Sequence, residues 1–131
     1  MEAPMTKTAR SAKAEYRLKR IYDAADASDG YRVLVDRLWP RGVAKAKAHI
    51  DLWLKEIAPS DALRHEFHAQ PGKWKEFVKA YEKELKAPEA HAAADTLGAK
   101  LKDGPVTLLY AARDEEHNNA AALKDWLDRH R

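Results

Sequence analysis

Cysteine is absent from the 131 residues, which removes disulfides, thiolate metal sites and thiol nucleophiles. The absence fits a cytoplasmic home. No apolar run comes near the roughly 20 residues that a membrane-spanning helix needs, so no membrane partner is expected. Residues 1–14 mix Lys7, Arg10 and Lys13 with Ala, Ser and Thr, without the apolar stretch that a secretory signal requires. A large charge of one sign is missing too. The 24 basic residues against 21 acidic ones leave a formal charge of +3, and most Lys and Glu interleave along expected helices instead of forming the stripe of a dedicated nucleic-acid binder. The exception is the first stretch, where Lys7, Arg10, Lys13, Arg17, Lys19 and Arg20 face only Glu2 and Glu15. No Gly-rich phosphate loop, G-x-S-x-G elbow or H-E-x-x-H helix occurs, which removes the usual triphosphate, hydrolase and metalloprotease routes.

What is present reads as one folded unit. Residues 1–14, small and polar without periodicity, read as a flexible tail. Residues 15–131 then form a single domain, long enough to bury roughly two-thirds of the surface that the unfolded chain exposes. Tyr16 to Tyr22 reads as a strand with Tyr16, Leu18 and Tyr22 on one face, and its charges suit a sheet edge. Asp23 to Gly30 is loop. Tyr31 to Arg37 is a second strand whose Val33, Leu34 and Val35 are expected to be buried on both faces, as in parallel strands covered by helices.

The helices follow. Asp51 is placed to cap a short helix carrying Leu52, Trp53 and Ile57, which Pro59 ends. Ser60 or Asp61 caps the next, with Leu63 and Phe67 four apart. After Pro71-Gly72, Lys73 to Lys86 shows the cleanest periodicity in the chain, Trp74, Phe77, Val78, Tyr81 and Leu85 on one stripe. Glu89 to Lys102 is an Ala-rich helix stopped by Gly104-Pro105. Val106 to Ala112 is a third strand, Arg113 to Asn119 a polar turn, and a last helix runs on to Arg129 with Leu123, Trp126 and Leu127 inward. This order predicts an α/β fold: a small, mostly parallel sheet with helices packed on both faces.

If the second and third strands are parallel neighbours, their carboxyl ends share one edge, where open α/β sheets bind ligands. The first loop would bring Asp36, Arg37, Trp39 and Arg41, and the second Tyr110, Arg113, Asp114, His117, Asn118 and Asn119. Arginines are planar multi-donor cations suited to phosphate or carboxylate, and the start of the last helix would add free N–H groups. Trp39 could stack on a planar ring, while Pro40 and Gly42 hold the loop's shape. Asp36, Asp114 and His117 are the candidates to move protons. Each has a structural competitor: an ion-pair network closing the strand end for Asp36, Arg37 and Arg41, packing over the sheet edge for Trp39, and capping for His117, Asn118 and Asn119. His65 and His68 sit three apart with no second ligand pair, so no metal or cofactor is expected.

Four separated stretches carry a resemblance: V-D-R-L-W-P-R-G at Val35 to Gly42, D-L-W-L-K-E-I-A-P-S at Asp51 to Ser60, P-x-x-W-x-x-F at Pro71 to Phe77, and V-T-L-L-Y-A-A-R-D-E-E-H-N at Val106 to Asn118. In order and over nearly all of Leu18 to Trp126, the chain resembles the YeaO-like branch of the domain-of-unknown-function 488 family. The resemblance implies a small cytoplasmic α/β protein and no established reaction. Relatives in the broader family carry a cysteine-bearing pattern after the equivalent strand, whose first Cys falls on Tyr110 and whose Glu falls on Ala112. This chain therefore lacks those groups, while Arg113, Asp114 and His117 match the YeaO-like pattern. Some members of the branch bear the label of MarR-type transcription regulators, although strands alternating with helices do not suit a winged-helix regulator.

The sequence points to a protein that binds a small anionic or phosphorylated ligand at the C-terminal edge of its sheet, with acid–base or hydrolytic chemistry if it is an enzyme. The alternatives are a nucleic-acid-binding transcription regulator, whose basic amino-terminal segment would touch phosphates, or a non-catalytic partner-binding domain. Oligomeric state is left open.

Overall fold

The computed structural model describes residues 13–130. The tail expected over residues 1–14 therefore falls almost wholly outside the described residues. Four strands, β1 (Tyr16–Arg20), β2 (Tyr31–Leu34), β3 (Leu52–Trp53) and β4 (Val106–Tyr110), form one sheet in the order β1-β4-β2-β3. Every pairing is parallel. Five α-helices accompany it: α1 (Lys45–Ala48), α2 (Asp61–Ala69), α3 (Trp74–Glu84), α4 (Pro88–Leu101) and α5 (Asn119–Arg129), with 3-10 turns at Ala27–Asp29 and Lys55–Ile57. The fold is α/β. None of the described helices is long and apolar enough to cross a membrane.

β4 is an inner strand and carries no charge. All five residues of β4 are buried, because apolar layers cover the sheet above and below. β1 carries Arg17, Lys19 and Arg20 and pairs with β4 alone, so its charges sit on an edge, where they discourage further pairing. Leu18 packs against the main core, but Tyr22 lies beyond the strand and is exposed.

The two faces are covered unequally. On one, Val33, Val35, Val106, Leu108 and Tyr110 meet the apolar sides of α2, α3, α4 and α5, among them Leu63, Phe77, Tyr81, Leu97 and Leu123. The stripe expected on α3 is present: Phe77, Tyr81 and Leu85 are buried and Trp74 and Val78 pack beside them. On the other face a smaller cluster of Ile21, Leu34, Ala48 and Leu109 is closed by Trp39, Val43, Ile50 and Trp53, so the covering there is one short helix and a loop.

Gly30 enters β2 at φ +67°, and a Cβ there would stand 2.2 Å from the Pro105 carbonyl oxygen. Only glycine fits so close an approach of two backbones.

The stretch after Asp51 differs from its expectation. Asp51 does not cap a helix through Leu52 and Trp53; these two residues form β3, paired with Val33 and Leu34, and the helical turn shrinks to Lys55–Ile57. The Asp51 carboxylate accepts the Arg32 N–H at 2.8 Å, while the Asp51 N–H donates to the Arg32 carbonyl at 2.8 Å. The open edge of β2 supplies these partners, and local propensity cannot reveal an edge formed by residues nineteen positions away.

Tyr81 ties the helical layer to the chain after β3: its buried hydroxyl donates to the Ile57 carbonyl, and burial pushes its pKa well up. Tyr81→Phe leaves that carbonyl dry and unpartnered. We expect a loss of about 1–2 kcal/mol in chemical denaturation, and an unchanged midpoint would show the bond to be dispensable.

Candidate functional site

β2 and β4 are direct parallel neighbours, Val33 level with Leu108 and Leu34 with Leu109. Their carboxyl ends therefore open on the same edge. There the segment after β2 and the segment before α5 meet α2 around a cavity of about 520 Å³, within the range of small-molecule sites.

Asp36 is the joint between the two segments. Its Oδ2 accepts the Ala111 N–H at 2.9 Å and its Oδ1 accepts Asn119 Nδ2 at 3.0 Å, while the same amide also donates to the Val35 carbonyl at 3.1 Å. Burial pushes the Asp36 carboxyl above the ordinary aspartate value, against the pull of Asn119, Ala111 and the Arg64 charge. A raised carboxyl pKa suits a general acid or base, yet both oxygens are already engaged in holding the strand ends together.

Arg37 is half-buried and anchored: Nε donates to the Pro59 carbonyl at 2.9 Å and Nη2 to that of Ala58 at 3.2 Å. Neither Asp36 nor Arg37 forms an ion pair among the described residues, so the network expected between Asp36, Arg37 and Arg41 is not the arrangement found. Each is tied to backbone and amide groups instead.

Asp114 holds a turn. Its Oδ1 accepts the N–H groups of Glu116 and His117, both at 2.9 Å, and these bonds hold its carboxyl below the usual range. Asn118 caps α5: Oδ1 accepts the Ala121 N–H at 2.7 Å while Nδ2 donates to the Asp114 carbonyl at 2.9 Å. This is the preferred N-cap chemistry, and it uses one of the helix N–H groups that a guest would otherwise meet. His117 Nδ1 stands 3.7 Å from Asp114 Oδ2, and its ring lies 5.0 Å from that of Trp74. Arg113 is exposed, and no described residue bonds its guanidinium.

Asp36, Arg37, Arg113, Asp114, His117, Asn118 and Asn119 all line the cavity. Trp39, Arg41 and Tyr110 do not. Trp39 belongs to the smaller cluster on the opposite face, its Nε1 donating to the Val43 carbonyl at 2.7 Å and its ring 5.3 Å from Trp53. The chain turns at Pro40 to cover that face, so the indole packs as the competing reading had it. Arg41 rides on this turn, exposed, with only its carbonyl engaged by the Tyr22 hydroxyl. Tyr110 points from β4 into the main core and is 2% exposed.

Two of the other lining residues carry ionisable side chains that the sequence did not assign to this site, His68 having been weighed only as a metal ligand. Arg64 and His68 project from α2 at i and i+4 with Phe67 between them, a single helical face. Arg64 Nη2 reaches Asp61 at a long 3.4 Å, and among the described residues its buried Nε has no partner. The i, i+4 spacing was visible in the letters, but nothing there said that this face looks onto the ends of β2 and β4. Among the described residues no three His, Asp or Glu side chains stand close enough to hold a metal ion.

Similarity to known proteins bears on the same span. Residues 15–130 match the model of the DUF488-N3i family, described as "Inactive DUF488-N3 subclade". The chain is 46% identical over 109 residues to "Uncharacterized protein YeaO" of Escherichia coli K12, covering 83% of this chain and 93% of that protein. It is 38% identical over 112 residues to "Uncharacterized protein Rv3073c" of Mycobacterium tuberculosis H37Rv, covering 86% and 92%. No solved structure matches it. The family model takes in all four strands, all five helices and every residue around the cavity, and the chain belongs to the DUF488 family, in its DUF488-N3i subclade.

Proposed function

We propose that this domain binds a small anionic or phosphorylated ligand in the cavity at the carboxyl edge of its sheet, and holds it without turning it over. One observation carries the reading: Arg37, Arg64 and Arg113, with His68 and His117, surround a space in which the two carboxylates already have donors. Both oxygens of Asp36 are engaged by Ala111 and Asn119, and Oδ1 of Asp114 by its own turn. Among the lining residues three guanidinium groups thus stand against two carboxylates, and guanidinium groups so placed favour a phosphate or carboxylate. Proton transfer by Asp36, Asp114 or His117 is the weaker half of the original expectation, since the two aspartates serve the backbone. The description of the subclade as inactive points the same way. A cytoplasmic setting suits a chain with no cysteine.

Thermal unfolding tests the reading. A phosphate ester present at one hundred times its Kd adds about 2.7 kcal/mol of stability, a rise in Tm on the order of 10 °C for a chain of this size. Arg113→Ala is expected to abolish the rise without lowering the Tm of the free protein, because no described residue bonds that side chain. Arg41→Ala, outside the cavity, is expected to keep it. A Tm indifferent to inorganic phosphate, phosphate esters and carboxylates alike would remove the proposal.

A further inference from the structure

The geometry points to the chemical class of the guest: a small aromatic anion, with its ring against the α2–α3 wall and its charge toward Arg64 and Arg113. The inference rests on the anion-binding reading and adds to it. The cations explain only part of the cavity, for much of the lining is apolar and includes two aromatic rings. Phe67 and Phe77 line it with ring centroids 4.6 Å apart, and Trp74 stacks behind them, 5.5 Å from Phe77 at an interplanar angle of 23°. The same Trp74 backs the His117 ring at 5.0 Å. Phe77 is buried, whereas His68, Arg113 and His117 are exposed. Phe77 thus lies on the deep side and the Arg113 guanidinium at the mouth.

An inorganic phosphate would meet the mouth and leave the rings wet or empty. A purely apolar guest would leave the Arg113 guanidinium, exposed and bonded by no described residue, without a counter-charge. A flat ring bearing phosphate or carboxylate answers both, because it can lie against Phe67 and Phe77 in offset or edge-on contact while its oxygens reach the guanidinium donors. A volume of about 520 Å³ admits a guest of one or two rings. Phe67 is the side chain that can report on this, being half-buried and in contact with both the wall and the cavity.

Calorimetric titration of the full-length protein with inorganic phosphate, phenyl phosphate, cyclohexyl phosphate and benzoate tests it. Phenyl phosphate is expected to bind about tenfold or more tightly than inorganic phosphate, and several-fold more tightly than cyclohexyl phosphate, which has comparable apolar surface and no π face. Benzoate ranks the carboxylate against the phosphate. Phe67→Leu, which keeps an apolar side chain and removes the ring, is expected to erase the preference for phenyl over cyclohexyl phosphate and leave inorganic phosphate unaffected. Arg113→Ala is expected to weaken all four. Equal affinity for phenyl and cyclohexyl phosphate, or a Phe67→Leu variant that weakens inorganic phosphate as much as phenyl phosphate, overturns the aromatic inference and leaves anion binding standing. No binding by any of the four overturns both.

Discussion

Asp29→Ala is expected to lower the Tm by on the order of 10–20 °C, the largest effect of any single change considered. Asp29 and Arg32 are both about 5% exposed, and Arg32 Nη1 donates to Asp29 Oδ2 at 2.6 Å. The rest of the guanidinium is spent on the carbonyls of His49 at 2.8 Å and Ala48 at 3.1 Å. The carboxylate also takes the Lys19 ammonium at 2.9 Å and the Asp26 N–H at 3.0 Å. Removing it strands a buried guanidinium without its counter-charge. Such a loss costs about 3–5 kcal/mol, or roughly 3–5 °C of Tm per kcal/mol in a chain of this length. Asp29→Asn keeps an acceptor and is expected to fall between the two.

The same group sets a pH dependence. Burial alone would raise the Asp29 carboxyl, but Lys19, the Asp26 N–H and Arg32 outweigh it and leave the pKa below the ordinary 3.8. A depressed carboxyl pKa means that the unfolded chain binds the proton more readily, so the stabilisation is present above that value and lost as pH falls through the folded one. Acid unfolding of the native protein below pH 4 should therefore be steeper than that of Asp29→Asn. Parallel acid limbs in the two proteins would show that the charge contributes nothing.

Asp36→Ala is expected to cost about 2–4 kcal/mol, the second largest effect. It removes a charged acceptor from the Ala111 N–H and the Asn119 amide at one stroke and leaves both donors partly dry. Since these bonds join the end of β2 to the end of β4 and the start of α5, anion binding should fall with stability. Asp36→Asn is expected to be milder in stability and informative in pH. Burial raises the native carboxyl above 3.8, so between that value and the folded pKa the native state holds the extra proton, and stability declines as pH rises. The Asn variant should lack this decline. A native protein whose Tm is flat across that window would mean that Asp36 is not desolvated as its surroundings imply.

The element boundaries show which information was local. α3 was legible because its stripe repeats along one helix, while for Asn118 the letters left capping and ligand binding both open. β4 was legible because a continuous apolar run bounded by Gly104-Pro105 has few other uses. β3 was not, because a two-residue strand exists only through its neighbour. Asp29 is the clearest miss: it sits in D-A-A-D-A-S-D-G, a run that reads as exposed loop, and becomes buried only when Arg32 and Thr107 fall in one row across the sheet, with the Thr107 hydroxyl donating to the Asp29 carbonyl at 2.6 Å.

The candidate site divides along the same line. That Asp36, Arg37, Arg113 and His117 would stand at one edge followed from reading β2 and β4 as parallel neighbours, because parallel strands place their carboxyl ends together. That Trp39 and Arg41 would leave for the opposite face did not follow. Loop direction after a strand is chosen by what the loop can bury, and here the indole found Trp53 and Val43.

By itself, then, the order of residues determined the fold class, the long helices and the two charged segments that end the inner strands, all properties of short-range pattern and apolar periodicity. The tertiary structure alone decided that Asp36 and Asp114 bond to backbone and amide groups, that α2 brings Arg64 and His68 to the cavity, and that an aromatic wall closes it. The reason is that a side chain's partners are whichever groups folding brings within about 3 Å, and most of these lie far away along the chain.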